Sequence, residues 1–272
     1  MSLKVGLVQI QPASEPPSVG KAQLVQHAAD LISKAPQADI YVLPELAPTG
    51  YNAHVFNSLD EMSEDERLET APCRQALSLV ARERGAYICY GVPGQSQSGF
   101  CIRQVVLDPS GEVIASYDKI HLCDFGDCAE TRHFTCGETL CTFDCKGFRV
   151  GLLICADIRY TELCRELAVG RGCEILLQPA AFARDVTYAT WQSFVECRAL
   201  ENQVYWAAVN YAGPDFGGSM WCPPWVDGKH KITSRIGMEE TVVVHEATKD
   251  ELRSVKSSFQ FMRCRKERGE YK

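Results

Sequence analysis

Val150-Gly151-Leu152-Leu153-Ile154-Cys155-Ala156-Asp157-Ile158-Arg159 runs apolar for five residues without alternation and then stops at a cysteine. A continuous apolar run of that length suits a strand buried on both faces. Ala156 to Arg159 predicts a sharp turn, and a helix is expected from about Thr161 to Val169. Strand, turn and helix in that order place the turn residue at the rim of a sheet and leave backbone N–H groups free to bind an anion. Upstream, Cys141 to Asp144 pairs with Phe148 to Ile154 across Cys145-Lys146-Gly147. Cys101 to Leu107 and Glu112 to Tyr117 form a second hairpin, joined by Asp108-Pro109-Ser110-Gly111 with proline in its preferred turn position. The sheet structure is therefore mixed. Further strands are expected at Val5 to Gln9, Ile40 to Leu43, Tyr87 to Val92, Ile175 to Gln178, Tyr205 to Asn210 and Thr241 to His245. Helices are expected from Ser18 to about Ala35, from Thr70 to Arg84 and from Trp191 to Glu201, each with an apolar stripe or a plausible cap. Two sheets packed face to face with helices outside would bury this much strand, and one sheet covered on both faces competes with it.

The chain has 272 residues, 46% hydrophobic and 23% charged, with 28 basic and 35 acidic side chains and a net charge of −7. Such a chain can bury a large core, and with no repeat or linker it reads as one domain over 1–272. An acidic balance is poorly suited to collecting phosphate backbones, so nucleic acid is not an expected partner. No apolar run approaches the roughly 18 residues a membrane span needs, and the N-terminus reads as a strand instead of a signal peptide. The fourteen cysteines are scattered and many sit in apolar runs, where a free thiol behaves as a small hydrophobe. Reduced thiols and a cytoplasmic setting follow as expectations.

Three reactive residue types stand at strand ends. Cys155 closes the run above. Glu45 follows Ile40-Tyr41-Val42-Leu43-Pro44, and Lys119 follows the second hairpin in Tyr117-Asp118-Lys119-Ile120-His121-Leu122. Each has a structural explanation of its own: a core thiol, a capping carboxylate, a lysine with its stem along apolar surface. Strand ends in layered α/β folds converge on one rim, however. A thiol of pKa about 8.5 is only about 3% ionised at pH 7 and needs a base and a positive charge beside it to act as a nucleophile.

Taken together these segments resemble the nitrilase superfamily of carbon–nitrogen hydrolases. Leu43-Pro44-Glu45-Leu46-Ala47-Pro48-Thr49-Gly50-Tyr51 resembles its glutamate motif, Tyr117 to Leu122 its lysine motif, and Gly151 to Arg159 its cysteine motif, in the family's order. Arg198 to Asn202, Pro179 to Phe182 and Phe259 to Arg263 agree with further family stretches. The resemblance implies a four-layer α-β-β-α sandwich of two mixed β-sheets flanked by helices. It implies a thiol hydrolase that turns a small amide and water into a carboxylic acid and ammonia, with no metal and no cofactor. Cys155 would be the nucleophile, Glu45 the proton carrier, and Lys119 with the Ala156 N–H the oxyanion donors. Glu130 would orient the substrate nitrogen and support Lys119. Tyr51, Phe182, Arg184 and Trp191 would belong to the pocket, with Arg184 a candidate for a substrate carboxylate. N-carbamoyl or nitrile hydrolysis and a non-catalytic homologue stay open. The resemblance further implies a homodimer or higher even assembly, in which Phe259, Phe261 and Met262 cross to the partner. Ala156 departs from the bulky or acidic residue usual after the family's cysteine. His121, Cys123, Asp124, Asp127 and Cys128 cluster in one loop, but their spacing matches no structural zinc pattern.

Overall fold

The computed structural model describes residues 1–13, 20–125, 128–229 and 231–264. Twelve strands are found among them: β1 Ser2–Gln9, β2 Ile40–Val42, β3 Tyr87–Ser96, β4 Gly99–Leu107, β5 Val113–Asp118, β6 Cys141–Cys145, β7 Phe148–Leu152, β8 Ile175–Pro179, β9 Tyr205–Val209, β10 Met220–Cys222, β11 Ser234–Arg235 and β12 Thr241–Thr248. They form two six-stranded sheets, ordered β12-β1-β2-β3-β4-β5 and β11-β10-β9-β8-β7-β6. The centre of each is parallel, β1-β2-β3 in the first and β7-β8-β9 in the second, and the flanking pairs are antiparallel. Both sheets are mixed, and the layout of one sheet covered on both faces is not what the chain adopts.

Period-two patterning sorts the first sheet's side chains into two cores. Leu3, Val5, Leu7, Ile40, Val42 and Cys89 point to the second sheet and join Val150, Leu152 and Leu177 in one cluster. Val8, Tyr41, Leu43, Ile88 and Tyr90 point the other way, onto Val25, Ala28 and Ile32 of α1 (Lys21–Lys34) and Leu77, Val80 and Ala81 of α4 (Pro72–Arg84). Between α1 and α4 lie two short helices, α2 Ala53–Asn57 and α3 Leu59–Met62. The outer face of the second sheet is covered by α5 (Thr161–Arg165), its π-helical continuation Glu166–Gly170, and α6 (Trp191–Asn202). The result is a four-layer α-β-β-α sandwich.

The differences from expectation have local causes. Ser18, the expected cap of α1, lies outside the described residues; the helix starts after Gly20, which makes no side-chain cap. Pro72 at the first turn sets the start of α4 two residues later than expected. The last helix, α7 (Lys249–Ser258), has Thr248 accepting the Glu251 N–H as its cap. The tail after it folds against its own chain: Phe259 stacks on Trp225 with ring centroids 3.8 Å apart, and Arg165 donates to the Met262 sulfur. No helix among the described residues is long and apolar enough to cross a membrane.

Candidate active site

Glu45, Lys119 and Cys155 come from three separate strand ends, and the structure brings them together. Beyond β2 the Leu43 N–H still donates to Cys89, then Pro44 ends the pairing. Leu46 takes a left-handed backbone at φ 53°, which turns Glu45 inward. Its neighbour must be glycine: a Cβ on Gly91 would stand 2.5 Å from the Leu46 nitrogen. The Glu45 carbonyl accepts from Tyr211 at 2.7 Å, and its Oε2 accepts the Ala181 N–H at 3.0 Å.

Lys119 continues β5, its N–H bonded to the Ile102 carbonyl. The residue before it, Asp118, is held by a two-pronged Arg103 at 2.6 and 2.8 Å. The lysine side chain is fully buried, as are its two partners, Glu45 at 2.7 Å and Glu130 at 2.8 Å. Glu130 in turn accepts from Tyr51 at 2.7 Å and from the Cys123 N–H at 2.8 Å. One ammonium cannot neutralise two buried carboxylates. Burial pushes Glu45 up to about 7, Lys119 pulls it down, and Glu130 adds to the rise. The same two carboxylates hold Lys119 well above the ordinary lysine range against the opposing effect of burial.

Cys155 sits at the turn after β7 with φ 44°. A left-handed non-glycine residue costs about 1–3 kcal/mol and persists only where its surroundings enforce it. Here the enforcing group is Asp157, which sequence reading quoted but did not assign. Its Oδ2 accepts the Ile154 N–H at 2.9 Å and the Tyr117 hydroxyl at 2.8 Å, while Oδ1 accepts the His121 N–H at 2.9 Å and its ring Nδ1 at 2.8 Å. Tyr117 and His121 lie two residues either side of Lys119. One buried carboxylate thus fastens the cysteine turn to the lysine segment. The shared signal was the pairing of Tyr117-x-Lys119-x-His121 with Cys155-x-Asp157, whose meaning no spacing rule reveals. Gln178 bonds the Cys155 carbonyl at 3.2 Å and is itself held by Trp206 at 2.8 Å.

The Cys155 thiol lies near enough to Glu45 and Lys119 to feel both charges. Burial pushes it well above its ordinary value, Glu45 adds to this, and Lys119 opposes it. It is therefore a neutral thiol with a carboxylate base nearby. It is 8% exposed, at the floor of a cavity of about 130 Å³ also lined by Tyr51, Ala156 and Phe182. That is small beside the roughly 300–1,000 Å³ of drug-sized sites. Ala156 lies in the first turn of the 3-10 helix Cys155–Arg159, where backbone N–H groups have no partner within the helix.

Two expected pocket residues stand elsewhere. Trp191 is fully buried behind Phe182, with ring centroids 4.7 Å apart and its Nε1 donating to the Gly218 carbonyl at 2.8 Å; it backs the pocket wall. Arg184 is exposed, its Nε donating to the Phe216 carbonyl at 2.5 Å and its guanidinium lying over Tyr188. It does not line the cavity. Arg159, unassigned in the sequence reading, does. In the loop after Lys119, His121 is committed to Asp157, Asp124 accepts from Thr131, and Asp127 lies outside the described residues. Among the described residues no group of three or more His, Cys, Asp and Glu could hold a metal ion.

Residues 4–256 match the carbon–nitrogen hydrolase family. The chain is 30% identical over 276 residues to the omega-amidase NIT2 of Homo sapiens, spanning 96% of this chain and 94% of that one. Its fold superposes on an amidase from Nesterenkonia sp. with a TM-score of 0.75 and 25% identity, over 96% of this chain and 95% of the other. A mutant of that amidase carries the acetamide moiety of fluoroacetamide covalently added at its active-site cysteine. A CN-hydrolase superfamily protein of Xanthomonas campestris gives a TM-score of 0.82 at 24% identity, over 98% of each chain.

Proposed function

The chain belongs to the carbon–nitrogen hydrolase family, and on that premise we propose that it hydrolyses a small amide through a thioester on Cys155. The observation that carries the proposal is the buried Glu45–Lys119–Glu130 bridge, with the Cys155 thiol near it and open to a small cavity. The amidase names of the relatives support the same reading.

The steps follow from the groups present. Glu45 takes the thiol proton as sulfur attacks the amide carbon. The carbonyl oxygen becomes an oxyanion, which receives hydrogen bonds from Lys119 Nζ and the Ala156 N–H. Losing one such donor typically costs about 100- to 1,000-fold. The tetrahedral species collapses, the carbon–nitrogen bond breaks, and the proton on Glu45 passes to the nitrogen, so that ammonia leaves and a thioester remains. Glu45 then takes a proton from water, whose oxygen attacks the thioester carbon. The carboxylic acid departs and the proton returns to sulfur. Glu130 takes no proton in this scheme; it holds Lys119 in place.

A base near pKa 7 is matched to neutral pH, where both its proton-accepting and proton-donating forms are accessible. Below that value Glu45 is protonated and cannot accept the thiol proton. Ammonia release measured from pH 5 to 9 should therefore show kcat/KM rising about tenfold per unit up to an acid limb near 7. Glu45→Gln should lower the whole profile and abolish the limb. A limb unchanged in that variant would reassign the base.

We extend the proposal to a homodimer. Tyr160 is 43% exposed and stacks on His121, and Phe261 is 45% exposed beside Trp225. Covering such surface is favourable by about 25 cal/mol per Å² of apolar area. Light scattering at micromolar concentration should give twice the chain mass; a single chain mass would contradict it.

A further inference from the structure

The loop after Lys119 carries two thiols, Cys123 and Cys128, that the scheme above does not use. Their surroundings differ from those of the core cysteines. Burial pushes Cys89, Cys101, Cys164 and Cys173 up to about 12, and a thiol held that high stays protonated and inert near neutral pH. Cys128 moves the other way. The neighbouring Cys123 thiol brings it down to about 7, burial opposes this, and the Tyr51 hydroxyl adds to the fall. Cys123 moves up in return, with Cys128 as the largest cause and burial as the next. Each thiol is thus the strongest influence on the other's ionisation, as befits close neighbours. Roughly half of Cys128 is then thiolate at pH 7, the form that reacts.

The backbone brings the two residues to one place. A single carbonyl, that of Phe125, accepts the Cys123 thiol at 3.9 Å and the Cys128 N–H at 3.3 Å. Both thiols are free, and both line the cavity that holds Cys155. Cys123 is buried and Cys128 half-buried, so a small molecule entering the cavity meets Cys128 with Cys123 beside it. The pair also borders the group that holds Lys119. Cys123 is bonded to Glu130 through both halves of its main chain: its N–H donates to Oε2 at 2.8 Å, and its carbonyl accepts the Glu130 N–H at 3.1 Å. The Tyr51 hydroxyl stands 2.7 Å from Glu130 Oε1 and 3.6 Å from Cys128 Sγ.

We infer that Cys128 and Cys123 form a modification site for a small hydroperoxide, and that the disulfide they close slows turnover reversibly. The Cys128 sulfur attacks one peroxide oxygen. A sulfur–oxygen bond forms as the oxygen–oxygen bond breaks, and the departing hydroxide takes up the thiol proton to become water. The Cys123 sulfur then attacks the sulfenic acid. The disulfide forms, the sulfur–oxygen bond breaks, and the second hydroxide leaves as water with the Cys123 proton. Two thiols and one hydrogen peroxide thus give one disulfide and two waters, with sulfur oxidised and peroxide oxygen reduced. A small dithiol reverses the step by exchange. A disulfide holds its sulfurs only about 2.05 Å apart, closer than two thiols pack. Closing it draws Cys123 and Cys128 away from Glu130 and Tyr51 and loosens the carboxylate that holds Lys119. The effect on rate rests on the thiol-amidase reading; the disulfide does not.

The test exposes the reduced protein to hydrogen peroxide, alkylates the remaining thiols, and weighs the peptides that carry Cys123 and Cys128, with ammonia release from a small amide followed in parallel. Those two residues should escape alkylation together and lose the mass of two hydrogens, in the unmutated protein and in Cys155→Ala alike. Ammonia release should fall roughly ten- to 100-fold as the disulfide forms, as for a small misplacement of a positioning group, and return after dithiothreitol. Cys128→Ser should hold its own untreated rate under the same exposure. Cys123→Ser, which serves if that variant does not fold, should stop at a sulfenic acid on Cys128 that dimedone captures. A disulfide formed in a protein that cleaves no amide would overturn the hydrolase reading and leave the modification site standing. No disulfide between these two residues, a disulfide that leaves the rate of an active protein unchanged, or inactivation of Cys128→Ser as fast as that of the unmutated protein would overturn the inference.

Discussion

Cys155→Ala should remove amide hydrolysis almost entirely, with kcat falling about 10⁴- to 10⁶-fold, the range typical for loss of a covalent nucleophile. The fold should survive. The substitution deletes one sulfur atom at the floor of a cavity and leaves the Asp157 bonds to Ile154, Tyr117 and His121 untouched. Its effect on stability should stay within about 1 kcal/mol, as for most changes that leave no large void or unpaired charge. Cys173, a thiol buried in the core away from the cavity, provides the comparison: Cys173→Ala should keep kcat within about threefold. Ammonia release from a panel of small amides, with melting temperatures recorded for each protein, separates chemistry from folding. If Cys155→Ala retains activity, the thioester route is wrong.

Lys119→Met should damage both activity and stability. Its ammonium lies between Glu45 and Glu130 at 2.7 and 2.8 Å, with all three side chains fully buried. Removing one partner of a buried ion pair costs about 3–5 kcal/mol because the remaining charge is left uncompensated. For a chain of this size that corresponds to a fall in Tm of roughly 10 °C. Activity loses an oxyanion donor, about 100- to 1,000-fold, and it loses more because Glu45 without its cation is driven further up and stays protonated at pH 7. The pH dependence has a definite sign. Glu45 stands at about 7 against an ordinary value of 4.5, so the unfolded chain ionises first and this group costs stability as pH rises from about 4.5 through 7. Losing Lys119 enlarges that cost. The gap in Tm between the two proteins should therefore be wider at pH 8 than at pH 5. An equal gap at both values would mean that the lysine acts through packing alone.

What the sequence disclosed follows from the kind of signal each feature leaves. The apolar run ending at Cys155 and the segments ending at Glu45 and Lys119 carry strand periodicity and an abrupt stop, and all three strand ends meet. Short elements leave too little pattern. β10 and β11 are three and two residues long, and α7 buries only Leu252 and Val255, too few for a recognisable stripe. Asp157 shows a different limit. Its bonds to Tyr117 and His121 span 40 and 36 residues, and no periodicity encodes a side-chain contact across that distance. The two arginines show a third. Arg184 follows a pocket loop in sequence, yet its Nε is spent on the Phe216 carbonyl. Arg159 ends the cysteine turn and was given no role from sequence, yet it lines the cavity. Proximity along the chain says little about where a long side chain points.

The central claim is that Cys155 carries the acyl group between the two halves of the reaction. Mixing the protein with a small amide that it cleaves, quenching in acid within milliseconds to seconds, and weighing the intact chain and its Cys155 peptide tests this directly. The account predicts an added mass equal to the acyl group of that amide on the peptide, transient in the unmutated protein and absent from Cys155→Ala. Ammonia released at full rate with no such adduct at any time, or with the adduct on another residue, would contradict it.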